Sequence, residues 1–149
     1  MVVADDAVDV CADIALTVDV TTAGAKTTTD VVVQVYVQFV NASVPVPRLA
    51  LVQFDKLYNM TAGEKRTVRL AVHPAQRVVI TNETFVRTVE PQPVRLWVGD
   101  GQPSMVGGGD GGGGGWGGGG HLSAVVALSG EPTALDACKK DKEEEKESS

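Results

Sequence analysis

The sequence predicts an all-β fold, a seven-stranded antiparallel sandwich with a disordered glycine-rich insertion in one hairpin. Apolar and polar residues alternate with a period of two along several short segments, as they do in half-buried strands. Valine and threonine are frequent and no segment shows a convincing helical period, which also favours strands. Short segments of this kind, separated by turn residues, are typical of β-sandwiches.

The first two predicted strands show the alternation most clearly. In residues 14–20 every second side chain is a large aliphatic one, which predicts one buried and one solvent-facing side. In residues 31–39 every odd-numbered position is valine or phenylalanine, whereas the even-numbered positions are mixed and include Tyr36. We therefore expect the odd-numbered face of this strand to lie in the core.

The third predicted strand, residues 49–57, departs from strict alternation. Its large apolar residues Leu51, Phe54 and Leu57 are three positions apart, which indicates a β-bulge or a bend. We expect Phe54 and Leu57 to belong to the core. A turn at residues 61–64 (TAGE) then leads into the fourth strand.

The other strands are predicted from shorter apolar segments. They are residues 68–72, two short pieces at 78–80 and 85–86 that count as one strand, residues 94–98 and residues 122–128. Between the last two strands lies GGGDGGGGGWGGGG at residues 107–120, which predicts a flexible coil inserted in a hairpin loop. The fold can tolerate such an insertion because loop-closure entropy grows only slowly with loop length.

The chain is expected to contain one domain, at residues 13–128. An N-terminal extension at residues 1–12 precedes it, and a disordered charged tail at residues 129–149 follows it. The formal net charge of −6 argues against binding to nucleic acid. No apolar run approaches the ~20 residues of a membrane span, so no membrane partner is expected either.

Three asparagines suggest a secretory history. They are the only asparagines in the chain, and each opens an Asn-x-Ser/Thr sequon: Asn41, Asn59 and Asn82. Clustering of these residue types in turns is the alternative explanation. We expect N-glycosylation acceptors and a secreted, extracellular protein. The N-terminus MVVADDAVDV is too acidic to be a signal peptide, so the protein is either cytosolic or part of a longer chain whose signal lies elsewhere, and the sequons favour the second alternative.

The two cysteines are expected to remain unbridged, although a disulfide is the open alternative. Cys11 precedes the first predicted strand, and Cys138 follows the last one by about ten residues. If the first and last strands run parallel, as in many sandwiches, the two positions lie at opposite ends. The tail would then need nearly its full extended reach to join them.

No set of residues in the sequence has the pattern of a catalytic or metal site. His73 and His121 lack partners at zinc-ligand spacing, so we expect no metal and no cofactor. The glycine run lacks the Gly-Lys-Ser/Thr ending of a phosphate-binding loop. The carboxylates near the N-terminus are expected to be solvated rather than catalytic: Asp5, Asp6, Asp13 and Asp19.

Two aromatic residues are the remaining candidates for function. By parity, Tyr36 and Trp97 lie on the faces opposite the main apolar rows of their strands. We expect them to dock on a neighbouring domain, with stacking on a sugar ring or local packing as alternatives. Trp116, within the glycine run, is expected to be solvent-exposed or loosely docked.

Several segments, taken in order, resemble a known family. DVVVQVYV at residues 30–37 resembles the Glu-Val-Val-Gln-x-Tyr-Val strand of the fibronectin type III-like domain that ends many family-3 glycoside hydrolases. Pro47 and Leu51, LVQF at residues 51–54 and Gly63-Glu64 are similar to its next motifs. The resemblance extends over residues 13–128, through VEP at 89–91 and the strand at 94–99. It implies an immunoglobulin/fibronectin type III-like sandwich.

The sequence departs from the family pattern at a few positions. Thr22 replaces an asparagine, and Gln53 and Gln92 each replace a glycine. One extra residue lies between Phe54 and Gly63, and the glycine run is an addition. We expect these departures to alter loop geometry more than the sandwich.

The resemblance implies a supporting role. Family-3 enzymes hydrolyse β-glucosides or β-xylosides, including those of cell-wall polysaccharides, with carboxylates carried by two other domains. No catalytic residue carries over to this chain. We therefore expect a non-catalytic accessory domain whose partners are the catalytic domains of such an enzyme, whether in cis or missing. The alternative is a free-standing carbohydrate-binding or adhesion module with a polysaccharide partner. That the chain is itself an enzyme is the least favoured interpretation.

Overall fold

The computed structural model describes residues 1–23, 28–103 and 121–138. The ordered elements in these residues are eleven strands, the single-turn helix α1 (Pro74–Arg77) and a further helical turn at residues 135–138. The strands are β1 (Val2–Val3), β2 (Ala7–Asp9), β3 (Ile14–Thr21), β4 (Thr29–Phe39), β5 (Ala50–Met60), β6 (Lys65–Val72), β7 (Ile80–Thr81), β8 (Arg87–Val89), β9 (Pro93–Gly99), β10 (Leu122–Ser129) and β11 (Thr133–Ala134).

The predicted all-β sandwich is confirmed. One sheet has the order β1-β3-β6 and the other has the order β2-β10-β9-β4-β5, while a small sheet β11-β8-β7 lies beside them. All strand pairs are antiparallel except β2 with β10, which run parallel. The strands beyond the seven that the sequence predicts are two or three residues long. The α1 helix is far too short and polar to cross a membrane, and no other described helix could do so.

The core lies between the two larger sheets and is built from alternate residues of the long strands. Val33, Val35 and Val37 of β4 and the even-numbered positions of β9 are buried, as the alternation predicts. The fully buried side chains include Ile14, Leu16, Val35, Val37, Val72, Val94, Leu96 and Val126. Aliphatic side chains therefore fill the sandwich, without a buried aromatic ring among the described residues.

A bulge in β5 changes which of its side chains face the core. On β4 the neighbours Val35 and Tyr36 pair with Gln53 and Leu51, which leaves Val52 as an extra residue. Val52 is only 2% exposed, and the side-chain amide of Gln53 donates to the Ala71 carbonyl of β6 at 2.9 Å. Because Val52 and Gln53 both face inward, the next residue, Phe54, faces outward, and its side chain is 62% exposed. The prediction that Phe54 belongs to the core is therefore wrong.

A second bulge in β5 accommodates the extra residue found in the sequence. Two steps along β4, from Thr29 to Val31, correspond to three steps on β5, from Met60 to Leu57. Within this bulge Asn59 has a φ of 51°, in the left-handed region that asparagine tolerates better than most residues. Leu57 packs against the core, in line with its prediction.

The turn predicted at residues 61–64 connects β5 to β6 and crosses from one sheet to the other. Gly63 has a φ of 73°, which suits glycine, and the Glu64 amide donates to the Thr61 carbonyl at 3.1 Å. Thr22, at the end of β3, accepts a backbone hydrogen bond from Gly63 at 2.9 Å, and its hydroxyl donates to the Thr61 carbonyl. This turn is thereby tied to the end of β3.

Ordered structure continues past the predicted end of the domain. After Gly130, β11 pairs with β8, and residues 135–138 form a helical turn. The prediction of a disordered tail from residue 129 is therefore wrong for residues 129–138, because Ser129 ends β10, Thr133 and Ala134 pair with β8, and residues 135–138 are helical. Residues 139–149, like the glycine run at 107–120 with Trp116, lie outside the described residues.

Cys11 and Cys138 form a disulfide, with a distance of 5.2 Å between their Cα atoms. The expectation that they remain unbridged is therefore wrong. It assumed that the first strand begins after Cys11, whereas β2 precedes this residue. Because β2 runs parallel to β10, with Asp9 opposite Ser129, both strands end at the same end of the sheet. The helical turn at 135–138 then needs to span only a short distance to reach Cys11.

Candidate functional site

The candidate site lies on the outward face of the five-stranded sheet. Since the odd-numbered residues of β4 and the even-numbered residues of β9 face the core, Tyr36 and Trp97 point away from it. The structure also brings them together, because Tyr36 and Trp97 are direct cross-strand partners. Their side chains are half-buried by their neighbours on this face. The parity argument therefore placed both residues correctly and did not reveal their adjacency.

Polar neighbours hold both aromatic side chains in place. The indole N–H of Trp97 donates to Gln38 Oε1 at 3.2 Å, and the Tyr36 hydroxyl donates to Gln34 Oε1 at 2.7 Å. The Arg95 guanidinium carbon lies 5.8 Å from the centre of the Trp97 ring, within the range of a cation–π contact. Each of the two aromatic side chains therefore has a polar partner on the same face of the sheet.

Strand β5 adds an exposed apolar row beside this pair. Leu51 pairs with Tyr36 and Phe54 pairs with Gln34, so both lie on the outward face. Leu51 is 50% exposed and Tyr58, further along the strand, is 58% exposed. We call Leu51, Phe54, Tyr36 and Trp97 the aromatic face. The sequence did not predict that Leu51 and Phe54 belong to this face. Their direction is set by the bulge at Val52, and the position of that bulge depends on the pairing with β4.

Charged groups border the aromatic face where β4 begins. Lys56 Nζ lies 3.0 Å from Asp30 Oδ2 and 4.7 Å from the centre of the Tyr58 ring. The backbone N–H of Asn59 donates to Asp30, and together with the Lys56 ammonium it holds the pKa of this carboxyl below its ordinary value. The same contact raises the pKa of Lys56. Both groups are therefore charged at neutral pH.

The acidic residues near the N-terminus do not converge on a common point. Asp19 accepts a hydrogen bond from the Thr67 hydroxyl at 2.7 Å and lies 2.9 Å from Lys65 Nζ, and these contacts lower its pKa. Asp13 contacts His73 Nδ1 at the surface. Asp5 and Asp6 lie in the exposed segment between β1 and β2.

The histidines occupy structural positions. His121 Nε2 contacts the Gly101 carbonyl oxygen at 2.8 Å, and its ring covers Gly99, where a Cβ atom would lie 2.4 Å from it. His73 lines a cavity of about 50 Å³ beside the disulfide, together with Asp13, Cys11 and Cys138. Ligand pockets usually measure ~300–1,000 Å³, so this cavity is too small for a sugar. Among the described residues, no group of three or more His, Cys, Asp or Glu side chains could hold a metal ion.

The three sequons lie at different places around the sheets. Asn41 follows the end of β4, and Asn59 lies in the second bulge of β5 near the beginning of β4. Asn82 directly follows β7, in the turn that leads to β8. Asn41 and Asn59 are exposed, whereas Asn82 is half-buried.

The fold and part of the sequence match known proteins. Residues 31–102 match the family model of the fibronectin type III-like domain. Comparison with curated protein sequences finds no match. A β-glucosidase from Kluyveromyces marxianus is 25% identical, with a TM-score of 0.64, and the match covers 82% of this chain and 13% of that one. A β-glucosidase from Listeria innocua in complex with gluconolactone is 21% identical, with a TM-score of 0.68, and the match covers 88% and 15%.

Residues 31–102 therefore resemble a fibronectin type III-like domain, and the fold of the chain is similar to part of two β-glucosidases. More specifically, the chain contains a fibronectin type III-like domain similar to one found within β-glucosidases, and the resemblance expected from the sequence is confirmed. The chain spans only 13% and 15% of the lengths of the two β-glucosidases. Most of each enzyme therefore has no counterpart in this chain.

Proposed function

We propose that this chain is a non-catalytic accessory domain of a family-3 β-glycosidase that degrades cell-wall polysaccharides. The observation that carries the proposal is the uneven coverage of the matches. They include 82% and 88% of this chain but only 13% and 15% of the β-glucosidases. The active site would then be built by other domains, supplied either by the same polypeptide or by a separate one.

The contacts of the described carboxylates support a non-catalytic role. Glycoside hydrolysis needs two carboxyl groups that face each other across a sugar, about 5–9 Å apart. Asp19 and Asp30 instead form exposed ion pairs with Lys65 and Lys56. Both are therefore explained by surface contacts without reference to a substrate.

The aromatic face is the surface through which we propose that the domain docks on its catalytic partner. Leu51 and Phe54 expose apolar surface beside Tyr36 and Trp97. Removal of this apolar surface from water would favour docking. Since Gln34 and Gln38 already hold the two aromatic rings, little side-chain entropy is lost on docking.

The gene organisation provides the direct test of the accessory role. Sequencing the full-length transcript that contains Met1 is expected to show a barrel domain with its catalytic carboxylate upstream and in frame. A stop codon followed by a signal peptide directly upstream of this domain, with no glycosidase co-expressed, would contradict the proposal.

The docking surface can be tested in the complete enzyme. Replacement of Leu51 by Asp and of Phe54 by Ser is expected to lower the melting temperature of the catalytic domains, because their contact with the aromatic face is weakened. Arg69→Ala, on the exposed side of the other sheet, serves as the matched control. If both changes shift the melting temperature equally, the aromatic face is not the docking surface.

A second candidate function is a carbohydrate-binding module, favoured by the adjacent Tyr36 and Trp97. Two neighbouring aromatic rings on a sheet can form a platform for pyranose rings. Retention of the chain on xylan or cellulose, reduced by Trp97→Ala, would support this function. A chain that is not retained, or whose retention is the same after Trp97→Ala, would exclude it.

A further inference from the structure

The three sequon asparagines differ in how their side-chain amides are used. The Asn41 side chain is exposed and makes no hydrogen bond with any described residue. Its loop is held by other groups: the Asn41 N–H donates to Gln92 Oε1 at 3.2 Å, and the Ser43 N–H donates to Glu90 Oε2 at 3.2 Å. The Ser43 hydroxyl also donates to Glu90 Oε1. An oligosaccharide on the Asn41 amide would therefore leave these contacts intact.

Asn59 is also held by its backbone and not by its side-chain amide. Its backbone N–H donates to Asp30 Oδ1 at 3.0 Å, and its carbonyl faces the Arg66 guanidinium at 3.5 Å. Its side chain is exposed and, within the described part of the chain, has no hydrogen-bond partner. The amide nitrogen can therefore carry a large substituent without disturbing the bulge.

The Asn82 side chain, by contrast, closes a turn. Its Oδ1 accepts hydrogen bonds from the backbone N–H groups of Thr84 at 3.0 Å and Val86 at 2.9 Å, and from the Thr84 hydroxyl at 2.7 Å. Its Nδ2 faces the hydroxyl of the buried Thr88 at 3.5 Å. An oligosaccharide on this nitrogen would have to fit in the half-buried space between the turn and β8.

The three sites also differ before the chain is folded. The contacts that hold Asn41 and Asn59 come from residues 51 and 29 positions away, so both sequons are open in a nascent chain. The Asn82 turn is closed within four positions and can form locally. We therefore expect the Asn82 side chain to be engaged by its own turn when a glycosylating enzyme would act.

The disulfide independently indicates the compartment in which such an enzyme acts. Disulfides form and persist in oxidising environments such as the lumen of the secretory pathway. Cys11 and Cys138 are 127 positions apart and are nonetheless joined. We propose that this chain is N-glycosylated at Asn41 and Asn59 and is not glycosylated at Asn82.

The reaction transfers a glycosyl group from a lipid-diphosphate-linked oligosaccharide. The Asn amide nitrogen forms a bond to the anomeric carbon, while the bond from that carbon to the diphosphate oxygen breaks. The lipid diphosphate leaves with the electron pair, and the amide loses one proton to a base. This assignment does not depend on the proposed association with a glycosidase.

The two modified sites would bracket the aromatic face. Asn59 contacts Asp30 near the beginning of β4, and Asn41 follows the end of the same strand. At 3.3 Å per residue, eleven residues of strand separate the two sites by roughly 35 Å. Glycans at these positions leave the face between them open to a partner.

The test is secretion of residues 1–149 behind a signal peptide from a eukaryotic host. Treatment with an N-glycosidase in ¹⁸O-water converts each glycosylated Asn to a labelled Asp, which peptide mass spectrometry locates. We expect label at Asn41 and Asn59 and none at Asn82. Label at Asn82, or unlabelled Asn41 or Asn59, overturns the assignment. Because peptides are measured, the result does not require the chain to fold.

Matched variants provide a second measurement on the intact chain. Asn41→Gln and Ser43→Ala are expected to remove the same single glycan mass. Asn59→Asp is expected to remove the other, since aspartate keeps the tolerance for positive φ while lacking the amide. Asn82→Asp, which keeps the acceptor oxygen of the turn, is expected to leave the mass of attached glycan unchanged. A loss of one glycan in Asn82→Asp contradicts the proposal.

Discussion

The carboxylates of Asp30 and Glu64 stabilise the two ends of the second β5 bulge. Asp30 accepts the backbone N–H of Asn59, and Glu64 accepts the backbone N–H of Thr61 at 2.7 Å. Contact with Arg66, and then with Thr61, holds the pKa of the Glu64 carboxyl below its ordinary value. The pKa of Asp30 is lowered as well, mainly through Asn59. Both groups therefore favour the folded state in their charged form.

These lowered pKa values predict a loss of stability in acid. The ordinary pKa values are 3.8 for Asp30 and 4.5 for Glu64, and the folded values lie below them. The stabilisation is complete above these ordinary values and is lost as the pH falls through the lower folded values. Urea unfolding at pH 6, 4 and 3 should show the decline, with a shallower decline in Asp30→Asn and Glu64→Gln. Variants with the wild-type slope would refute this explanation.

The Asn82 side chain is expected to stabilise the turn before β8. It accepts two backbone N–H groups, so Asn82→Ala leaves both without a partner and should lower the free energy of unfolding by ~1–2 kcal/mol. Asn82→Asp retains the acceptor and should cost less than half as much. Chemical denaturation of the unglycosylated protein compares the two. Equal losses in both variants would show that the acceptor oxygen is not the stabilising group.

At the scale of elements, β5 shows how pairing controls the direction of side chains. A strand without bulges would place Val52 and Phe54 on the same side. The unpaired Val52 instead allows Gln53 to reach Ala71 on β6, so that Phe54 faces outward. The strand is also an edge of its sheet, and its two bulges discourage pairing with a further strand.

The exposed position of Phe54 predicts that its removal has little effect on the stability of the domain. Phe54→Ala should change the free energy of unfolding by no more than ~0.5 kcal/mol, because the side chain lies largely in solvent. Leu96→Ala, at a fully buried position on β9, should cost ~2–5 kcal/mol. Denaturant titrations of the two variants under the same conditions provide the comparison. A loss of 3 kcal/mol or more for Phe54→Ala, roughly the cost of removing a core aromatic, would show that the Phe54 side chain is buried and would contradict its exposed position.

The long strands could be predicted because their information is local. The alternation in residues 31–39 and 94–98 is enough to assign the buried faces of β4 and β9. The direction of Phe54 could not be predicted, because it depends on an extra residue being opposite the gap between Val35 and Tyr36. The irregular spacing in β5 revealed the presence of a bulge but not its position.

The residues that depart from the family pattern also have contacts that the sequence could not predict. Gln53 bridges the two larger sheets, and Gln92 accepts the Asn41 backbone N–H and is itself buried. Thr22 ties β3 to the turn after β5. At each of these positions, the side chain that replaces the family residue forms a hydrogen bond with a segment distant in sequence. Sequence spacing marks such positions as unusual without identifying the partner.

At the scale of the whole molecule, the disulfide joins the segment after β2 to the segment after β11. Its position could not be predicted, because it depends on β2 and β11, which are too short to show alternation. The parallel pairing of β2 with β10 determines which end of the sandwich Cys11 occupies. The location of the aromatic face also depends on the order of strands, which places β4 between β5 and β9.

Removal of the disulfide is expected to be the most destabilising single chemical change outside the core. The cross-link closes a loop of 127 residues, so a Cys11→Ser/Cys138→Ser protein should lose ~2–5 kcal/mol of unfolding free energy. Urea denaturation with and without dithiothreitol tests this. Reductant should destabilise the wild-type protein to the level of the double variant and leave that variant unchanged. A wild-type protein insensitive to reductant would argue against the cross-link.

The same cross-link determines how the domain responds to mechanical tension. When force acts on the chain before Cys11 and after Cys138, it passes directly from one sulfur atom to the other. Among the described strands, only β1 and β2 lie outside the closed loop and can be peeled away. The strands from β3 to β11 experience no pull, so the oxidised domain behaves as an almost inextensible link. After reduction the same segment could lengthen by roughly 400 Å.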